Sequence, residues 1–379
     1  MRAALTMQSQ KLTPQQCYVS PGMPPLKLGK TTSFFEFWPS WLTYIPVALQ
    51  WLALSVRYRS LTLPLIANPQ LPLSGMVGIG KSELLQQASG ELEHTILPWF
   101  AVEKTELPLA TQVAAIKDQI DAAGFTYPLV CKPDIGCRGV GVKLIKNDNE
   151  LMVNFNLYPA SSKMVVQKLA DFEPEAGIFF TRNPDESQGK IISLALKYTP
   201  YVIGDGRKTL AELIASDERA GTLTHLYQSR HKANWHNVIP AGEPYRLVFS
   251  ASHSKGAIFR DANNLITEQL NAKLTSLMSD LPDFHYGRLD VKFKDVESLG
   301  KGENIQIVEI NTASSEPLHI WDSNTSLRSA MSALLYQYKL LFQYGDANRT
   351  RGFKPPSIRK LIRHWRLEQK LSSYYAETD

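Results

Sequence analysis

Two short runs in the C-terminal third carry residues able to hold a hard cation. In GRLDVKF, Arg288, Asp290 and Lys292 alternate with Leu289, Val291 and Phe293. That is the period of a β-strand with one apolar face. IQIVEIN repeats the pattern, with Glu309 and Asn311 in one phase. Lys294 to Asn304 between them are polar, so they read as the flexible connection of an antiparallel hairpin. Such a hairpin brings Asp290 to the face that holds Glu309 and Asn311, because residues i and i+2 share a strand face. Two carboxylates and an amide oxygen together suit Mg²⁺, which takes oxygen ligands and completes its shell with water and phosphate. The plainer reading is a solvated sheet face. The apolar remainder of both strands and the neighbouring Arg288 favour the cation.

A second group of residues suits an anion. TYPLVCKPDIGCRGVGVKLIKN reads as a strand over Tyr127–Lys132, a loop with Gly136, Gly139 and Gly141, and a strand through Val140, Val142, Leu144 and Ile145. Glycines let backbone N–H groups approach phosphate oxygens, and Lys132 supplies a point charge. No GK[ST] opens a helix, so this is not a Walker loop. Taken alone, the run fits an ordinary glycine-rich β-turn; followed by the carboxylate strands, it fits a nucleotide. Arg138 falls at the loop tip. Cys131 alternates with Lys132 and points to the core, while Cys137 lies on the loop with no histidine near it in sequence. Upstream, Gly75, Gly78 and Gly80 make a turn before a helix that begins near Lys81. Lys81 reads equally as a phosphate ligand or as an exposed helical lysine.

Taken in this order, the R-x-D strand, the E-x-N strand and the lysine–glycine hairpin resemble the ATP-grasp ligases of the D-alanine–D-alanine ligase type. The resemblance covers about residues 76 to 320. It implies an α+β fold of two sheet-containing lobes enclosing ATP. It implies Arg288 as the catalytic cation at an acyl-phosphate transition state. Asp290, Glu309 and Asn311 are implied as ligands of two Mg²⁺ ions, with Mn²⁺ an alternative. Lys81, Lys132, Gly136, Arg138 and Gly139 would then meet the phosphates. Gln167, Lys168 and Leu169 match the hinge that holds adenine, and Glu175 matches the ribose ligand with Glu173 as its competitor. The stretch ALKYTPYVIGDGRKTLAELI resembles cyanophycin synthetases and related amino-acid ligases. The reaction implied is ATP-dependent joining of a carboxylate to an amine, or to a thiol, both small molecules. The chain departs from the D-alanine ligases directly after Asn311, where it reads Thr312, Ala313, Ser314, Ser315, Glu316. That supports ATP chemistry and not D-alanine. From another class, the chain reads as a membrane-associated nucleotide-binding protein without ligase turnover.

The rest of the chain must position these groups. Its 379 residues, 44% hydrophobic and 20% charged, suffice for a large core. A net charge of +5 does not by itself call for nucleic acid. Three cysteines without zinc-like spacing fit a reduced, cytoplasmic setting. Histidine spacing between His225 and Pro240 excludes zinc as well, and that stretch, with Arg230 and His231, reads as a mobile loop facing substrate. Arg182, Arg246, Lys255 and Arg260 read as partners for an anionic substrate or as surface charge. PYRLVFSASHSKGAIFRDAN reads as two strands joined by a turn, and Lys208-Thr209 opens a helix whose N-terminus would bind an anion or be plainly capped.

Three regions follow: an arm and hydrophobic segment over 1–75, a catalytic region over 76–325 with its lid hairpin at 127–170, and C-terminal helices over 326–379. Between Phe34 and Val56 the sequence carries Trp38, Trp41, Tyr44 and Trp51, with Arg57 and Arg59 following. This composition fits a helix lying in one leaflet of a membrane. A helix buried on the body, or a full span, would carry the same residues. Ile358–Leu371 is basic and amphipathic with Trp365, so it too reads as a surface for the cytoplasmic membrane face, or as a docked terminal helix.

Overall fold

A computed structural model describes residues 17–26, 35, 38–136 and 139–375. Cys137, Arg138, Phe34 and Glu36 lie outside the described residues. The fold is α+β and is built on two larger antiparallel sheets.

The first sheet has four strands in the order β1 (Trp99–Glu103), β4 (Lys163–Lys168), β2 (Leu129–Pro133) and β3 (Lys143–Ile145). The helices Leu109–Ala122 and Asp148–Asn156 cover it. Val113, Ile116 and Ile120 face inward at helical spacing and pack with Val166, Met164 and Leu151 into one core. Cys131 belongs to that core, and burial pushes its thiol up to about 12. The strand expected from Val140 is shorter than the sequence implied. Gly139 and Gly141 both take positive φ (70° and 74°), so the chain is still turning and pairs only from Lys143.

The second sheet has five strands in the order β11 (Ile305–Asn311), β10 (Tyr286–Phe293), β5 (Glu175–Thr181), β6 (Lys190–Tyr198) and β9 (Ile258–Asp261). Leu289, Val291 and Phe293 are fully buried against the Glu268–Ser279 helix, which fixes the opposite face of β10 toward the first sheet's lobe. The connection Lys294–Asn304 is not a loop. It holds a helix, Val296–Lys301, capped by Asp295 and ended by Gly302 at φ 70°.

Between β6 and β9 the chain leaves the sheet to form a small subdomain. Its strands β7 (Tyr201–Ile203) and β8 (Pro244–Arg246) pair with each other. Leu210, Ile214, Tyr227 and Leu247 make its own core. The two strands expected at Pro244–Asn263 therefore belong to different sheets. The stretch expected to be a mobile loop begins with a helix, Thr224–Arg230. Thr209 and Glu212 close a reciprocal capping box, so the Leu210–Ser216 helix is plainly capped.

The hydrophobic N-terminal segment forms the Ile45–Tyr58 helix. One face packs on the long Leu327–Thr350 helix through Trp51 against Tyr338 and Phe342. The opposite face leaves Ile45, Leu49, Leu52 and Val56 exposed. Among the described residues no helix is long and apolar enough to cross a membrane. The Leu327–Thr350 helix also runs into Asn348–Pro356, a basic stretch whose sequence reads as a linker.

Candidate active site

A cleft of about 1280 Å³ opens between the two sheets, bounded on its other sides by the small subdomain and the terminal helices. Every residue implied as catalytic, nucleotide-binding or metal-binding lines it, except Arg138, which is not described. Sheet register explains the convergence. Asp290 pairs with Glu309 across β10 and β11, and Arg288 pairs with Asn311. On the next strand Gly177 stands opposite Asp290. A Cβ at Gly177 would lie 3.2 Å from Arg288 Cδ and 2.6 Å from Leu318 Cδ1, so the arginine needs a glycine beside it.

Asp290 is 7% exposed and is the hub of the acidic face. Arg288 donates to it through Nε (2.9 Å) and Nη2 (3.3 Å), and Asn311 Nδ2 donates at 3.1 Å. Lys197 Nζ lies 3.1 Å from the same carboxylate. Burial alone would raise the Asp290 carboxyl, but Arg288 and Lys197 outweigh it and hold it below the ordinary range.

Lys197 is the charged cleft residue that sequence reading passed over. It lies on β6 directly across from Glu175, which in turn faces Lys292 on β10. Both lysines hold the Glu175 carboxylate at 2.8 Å, one on each oxygen. Burial opposes the charge on Lys197, yet Asp290 and Glu175 keep its pKa above the ordinary lysine value. The signal in the sequence is a lysine at an inward position of the apolar run ISLALKY. Glu173, by contrast, is exposed to the cleft, with its carbonyl accepting from Lys292.

The cationic side of the cleft comes from the other lobe. Lys132 ends β2 at 4% exposure, and its ammonium donates to Gln167 Oε1 (2.9 Å) and to the Val308 carbonyl (3.1 Å). Burial lowers its pKa to about 8, with Lys81 acting in the same direction and Glu309 and Asp290 against it. Lys81 donates to the Gly136 carbonyl at 2.9 Å and lies 3.7 Å from Glu309 Oε1. Its helix, Lys81–Leu85, is capped by Asp134, whose Oδ1 takes the Ser82 N–H at 2.6 Å. Lys168 spends its backbone N–H on the Pro98 carbonyl. Gly78, at φ 64°, gives its N–H to Glu368 at 2.6 Å, so the C-terminal helix Ile358–Ser372 rests on the glycine turn.

Two expectations about basic residues are corrected by this geometry. Arg182 donates to the carbonyls of Met278 and Phe284, and Arg260 pairs with Asp322 at 3.4 Å, so both are structural. Arg230, His231 and Arg246 do line the cleft, and Lys255 reaches the carbonyl of Gly139 in the glycine loop.

The donor set on the acidic face is oxygen only: Asp290, Glu309 and the Asn311 amide. Among the described residues no group of three His, Cys, Asp or Glu side chains forms a metal cluster. The set named above contains no sulfur or imidazole, and oxygen donors are what a hard divalent cation prefers and a zinc ion does not. By donor type the set suits Mg²⁺, while in this structure Arg288, Lys197 and the Asn311 N–H occupy the Asp290 carboxylate.

No protein-family profile and no curated protein sequence matches the chain. Solved structures do. The VanG D-Ala:D-Ser ligase from Enterococcus faecalis superposes with a TM-score of 0.41 at 11% identity, over 71% of this chain and 64% of its own. A D-alanine–D-alanine ligase from Bacillus anthracis gives 0.38 at 18% identity, over 74% and 71%. A bifunctional glutathione synthetase from Pasteurella multocida gives 0.35 at 15% identity, over 68% of this chain. The chain spans 35% of the length of that synthetase. Two antiparallel sheets enclose one cleft, with lysines on one wall and the R-x-D and E-x-N strands on the other, which is the arrangement that the motif resemblance to ATP-grasp ligases implies.

Proposed function

We propose that the protein is an ATP-dependent ligase that joins a carboxylate to an amine through an acyl phosphate. The observation that carries this reading is the convergence of Lys81, Lys132, Lys197 and Arg288 with Asp290, Glu309 and Asn311 in one cleft. Lys132 and Lys81 hold the phosphates of ATP, together with the loop that contains Gly136 and Gly139. The hinge at Gln167 to Leu169 faces adenine. Because Glu175 is tied to two lysines, the exposed Glu173 takes the ribose. Asp290, Glu309 and Asn311 hold Mg²⁺, which when bound supplies charge neutralisation at the transferring phosphoryl group.

Chemically, a carboxylate oxygen attacks the γ-phosphorus as the bond to the β-bridging oxygen breaks and ADP leaves. The amine nitrogen then attacks the acyl carbon, the carbon–oxygen bond to phosphate breaks, and the proton lost by nitrogen leaves with phosphate. Arg288 and Lys197 stand where negative charge develops, so the protein's part is positioning and electrostatic stabilisation. No side-chain nucleophile is required. A thiol acceptor would follow the same course. Product mass spectrometry of ATP with pooled carboxylic acids and amines tests this reading. An acid-plus-amine condensation product lost in Arg288→Ala is the expected result, and no product from any pool would count against it.

A membrane-surface location is a second, compatible reading. Its support is the exposed stripe of Ile45, Leu49, Leu52 and Val56, followed by Arg57 and Arg59.

A further inference from the structure

We propose that Glu316 is the residue that binds the ammonium group of the acceptor amine, and that this amine carries no carboxylate beside its nitrogen. The inference rests on the ligase reading above and adds the class of nucleophile. Glu316 ends the stretch in which the sequence departs from the D-alanine ligases. Its backbone carbonyl accepts from Arg288 Nη1 at 3.0 Å, which seats it beside the Arg288–Asp290 pair.

The side chain of Glu316 meets an aromatic wall. Its Oε2 accepts from the Tyr44 hydroxyl at 2.5 Å and its Oε1 from the Trp321 indole N–H at 3.2 Å. Trp38 lines the same cleft, and the Phe35 ring lies 5.8 Å from that of Trp321. Asp290, Glu309 and Glu175 each have a lysine or arginine partner. Among the described residues no cationic side chain forms an ion pair with Glu316. A carboxylate offers about four lone-pair directions, and the two neutral donors named here use two of them. A carboxylate flanked by tryptophan and tyrosine, in a cleft and bonded to neutral donors while Arg288 acts on it only at longer range, is the complement of an alkylammonium group.

The same wall argues against an α-amino acid as acceptor. Its carboxylate would enter next to Glu316, and like charges repel. The guanidinium that touches Glu316, that of Arg288, is already committed to Asp290 and to the Glu316 carbonyl. The N-terminal segment supplies Trp38 and Tyr44, so on this account it builds the acceptor site.

Butylamine and norvaline test the point, because norvaline is butylamine with a carboxylate added beside the nitrogen. Calorimetric titration of the full chain should show saturable butylamine binding, tighter than norvaline by about tenfold or more. Glu316→Gln should weaken butylamine by about tenfold or more, the loss of one charge-assisted hydrogen bond, with the thermal midpoint retained. Glu316→Asp, which keeps the charge, should keep the preference for butylamine. No saturable butylamine binding, equal affinity in wild type and Glu316→Gln, tighter binding of norvaline, or loss of the preference in Glu316→Asp would each overturn the proposal. None of these readouts needs turnover. Failure of the ligase reading would show instead as absence of acid-dependent ADP release.

Discussion

Lys132 of the four-stranded sheet donates to the carbonyl of Val308, the residue that a bulge leaves out of the β10–β11 ladder. Asp290 pairs with Glu309, and the next pair is Val291 with Ile307, so Val308 has no partner across the ladder. The bulge thus does two things: it leaves a carbonyl for the lysine of the opposite lobe, and it twists the strand that carries Glu309. The buried cation of the four-stranded sheet and the strand that carries Glu309 are joined through one backbone atom.

A pH-dependent signature should follow. The folded pKa of Lys132 is about 8, below the ordinary lysine value of about 10.4. Between those values the unfolded chain holds a proton that the folded chain has released, so this group makes stability rise with pH across that window. Below about pH 8 the buried charge weighs fully against folding. Lys132→Met should therefore be more stable than wild type at neutral pH relative to alkaline pH, as read by urea midpoints. Phosphate beside the ammonium favours its charged form, so ATP binding near pH 8 should take up a proton. Calorimetry in two buffers of different ionisation enthalpy measures this, and Lys132→Ala should abolish the uptake and weaken ATP by about 1.5–3 kcal/mol.

The two carboxylates of the acidic face should respond differently to neutralisation. Asp290→Asn leaves Arg288 and Lys197 short of a buried anion, a change that typically costs about 3–5 kcal/mol. Glu309 is 33% exposed at its side chain and its lysine is 3.7 Å away, so Glu309→Gln should change stability by no more than about 1 kcal/mol. Both variants should lose Mg²⁺-dependent ATP turnover. Urea unfolding and a Mg²⁺ titration of turnover check both halves, and a fully active Glu309→Gln would remove that residue from the metal site.

At the C-terminus, the hydrogen bond from Gly78 to Glu368 ties the 358–372 helix to the glycine turn, and Tyr375 packs on Tyr158 of the lid lobe with ring centroids 5.5 Å apart. The C-terminal segment therefore contacts both the glycine turn and the core of the four-stranded sheet. Glu368→Ala should raise amide hydrogen exchange in residues 75–80 while leaving the lid core near Met164 unchanged. Unaltered exchange in the turn would show that the C-terminal helix has no hold on it.

For the N-terminal helix, double substitution of Leu49 and Leu52 by glutamate tests the membrane reading. These side chains are 63% and 57% exposed, so the fold should survive. Flotation with anionic vesicles should be lost in the variant. Equal flotation of both proteins, or of neither, would contradict insertion through this face.

Much of the acidic face was legible because period-two alternation sets which side chains share a face, and two such strands with an R-x-D and an E-x-N can pair in few ways. Lys197 was not legible. A single lysine in an apolar strand acquires its role only when β6 is placed against β5, and that pairing is set by the whole sheet. The division of Pro244–Asn263 between two sheets was hidden for the same reason. The aromatic helix had two faces, and sequence alone does not say which one packs. Trp51 found Phe342, Tyr44 found Glu316, and Leu49 remained outside.

Hydroxylamine trapping tests the central claim most directly. An acyl phosphate formed in the cleft reacts with hydroxylamine to give a hydroxamate, whatever the natural amine. Incubation of the full chain with Mg²⁺, ATP, hydroxylamine and pooled carboxylic acids should yield hydroxamate and ADP in equal amounts, and Arg288→Ala should yield neither. Hydroxamate accompanied by AMP and pyrophosphate, or nucleotide binding with no acid-dependent turnover in any pool, would contradict the account.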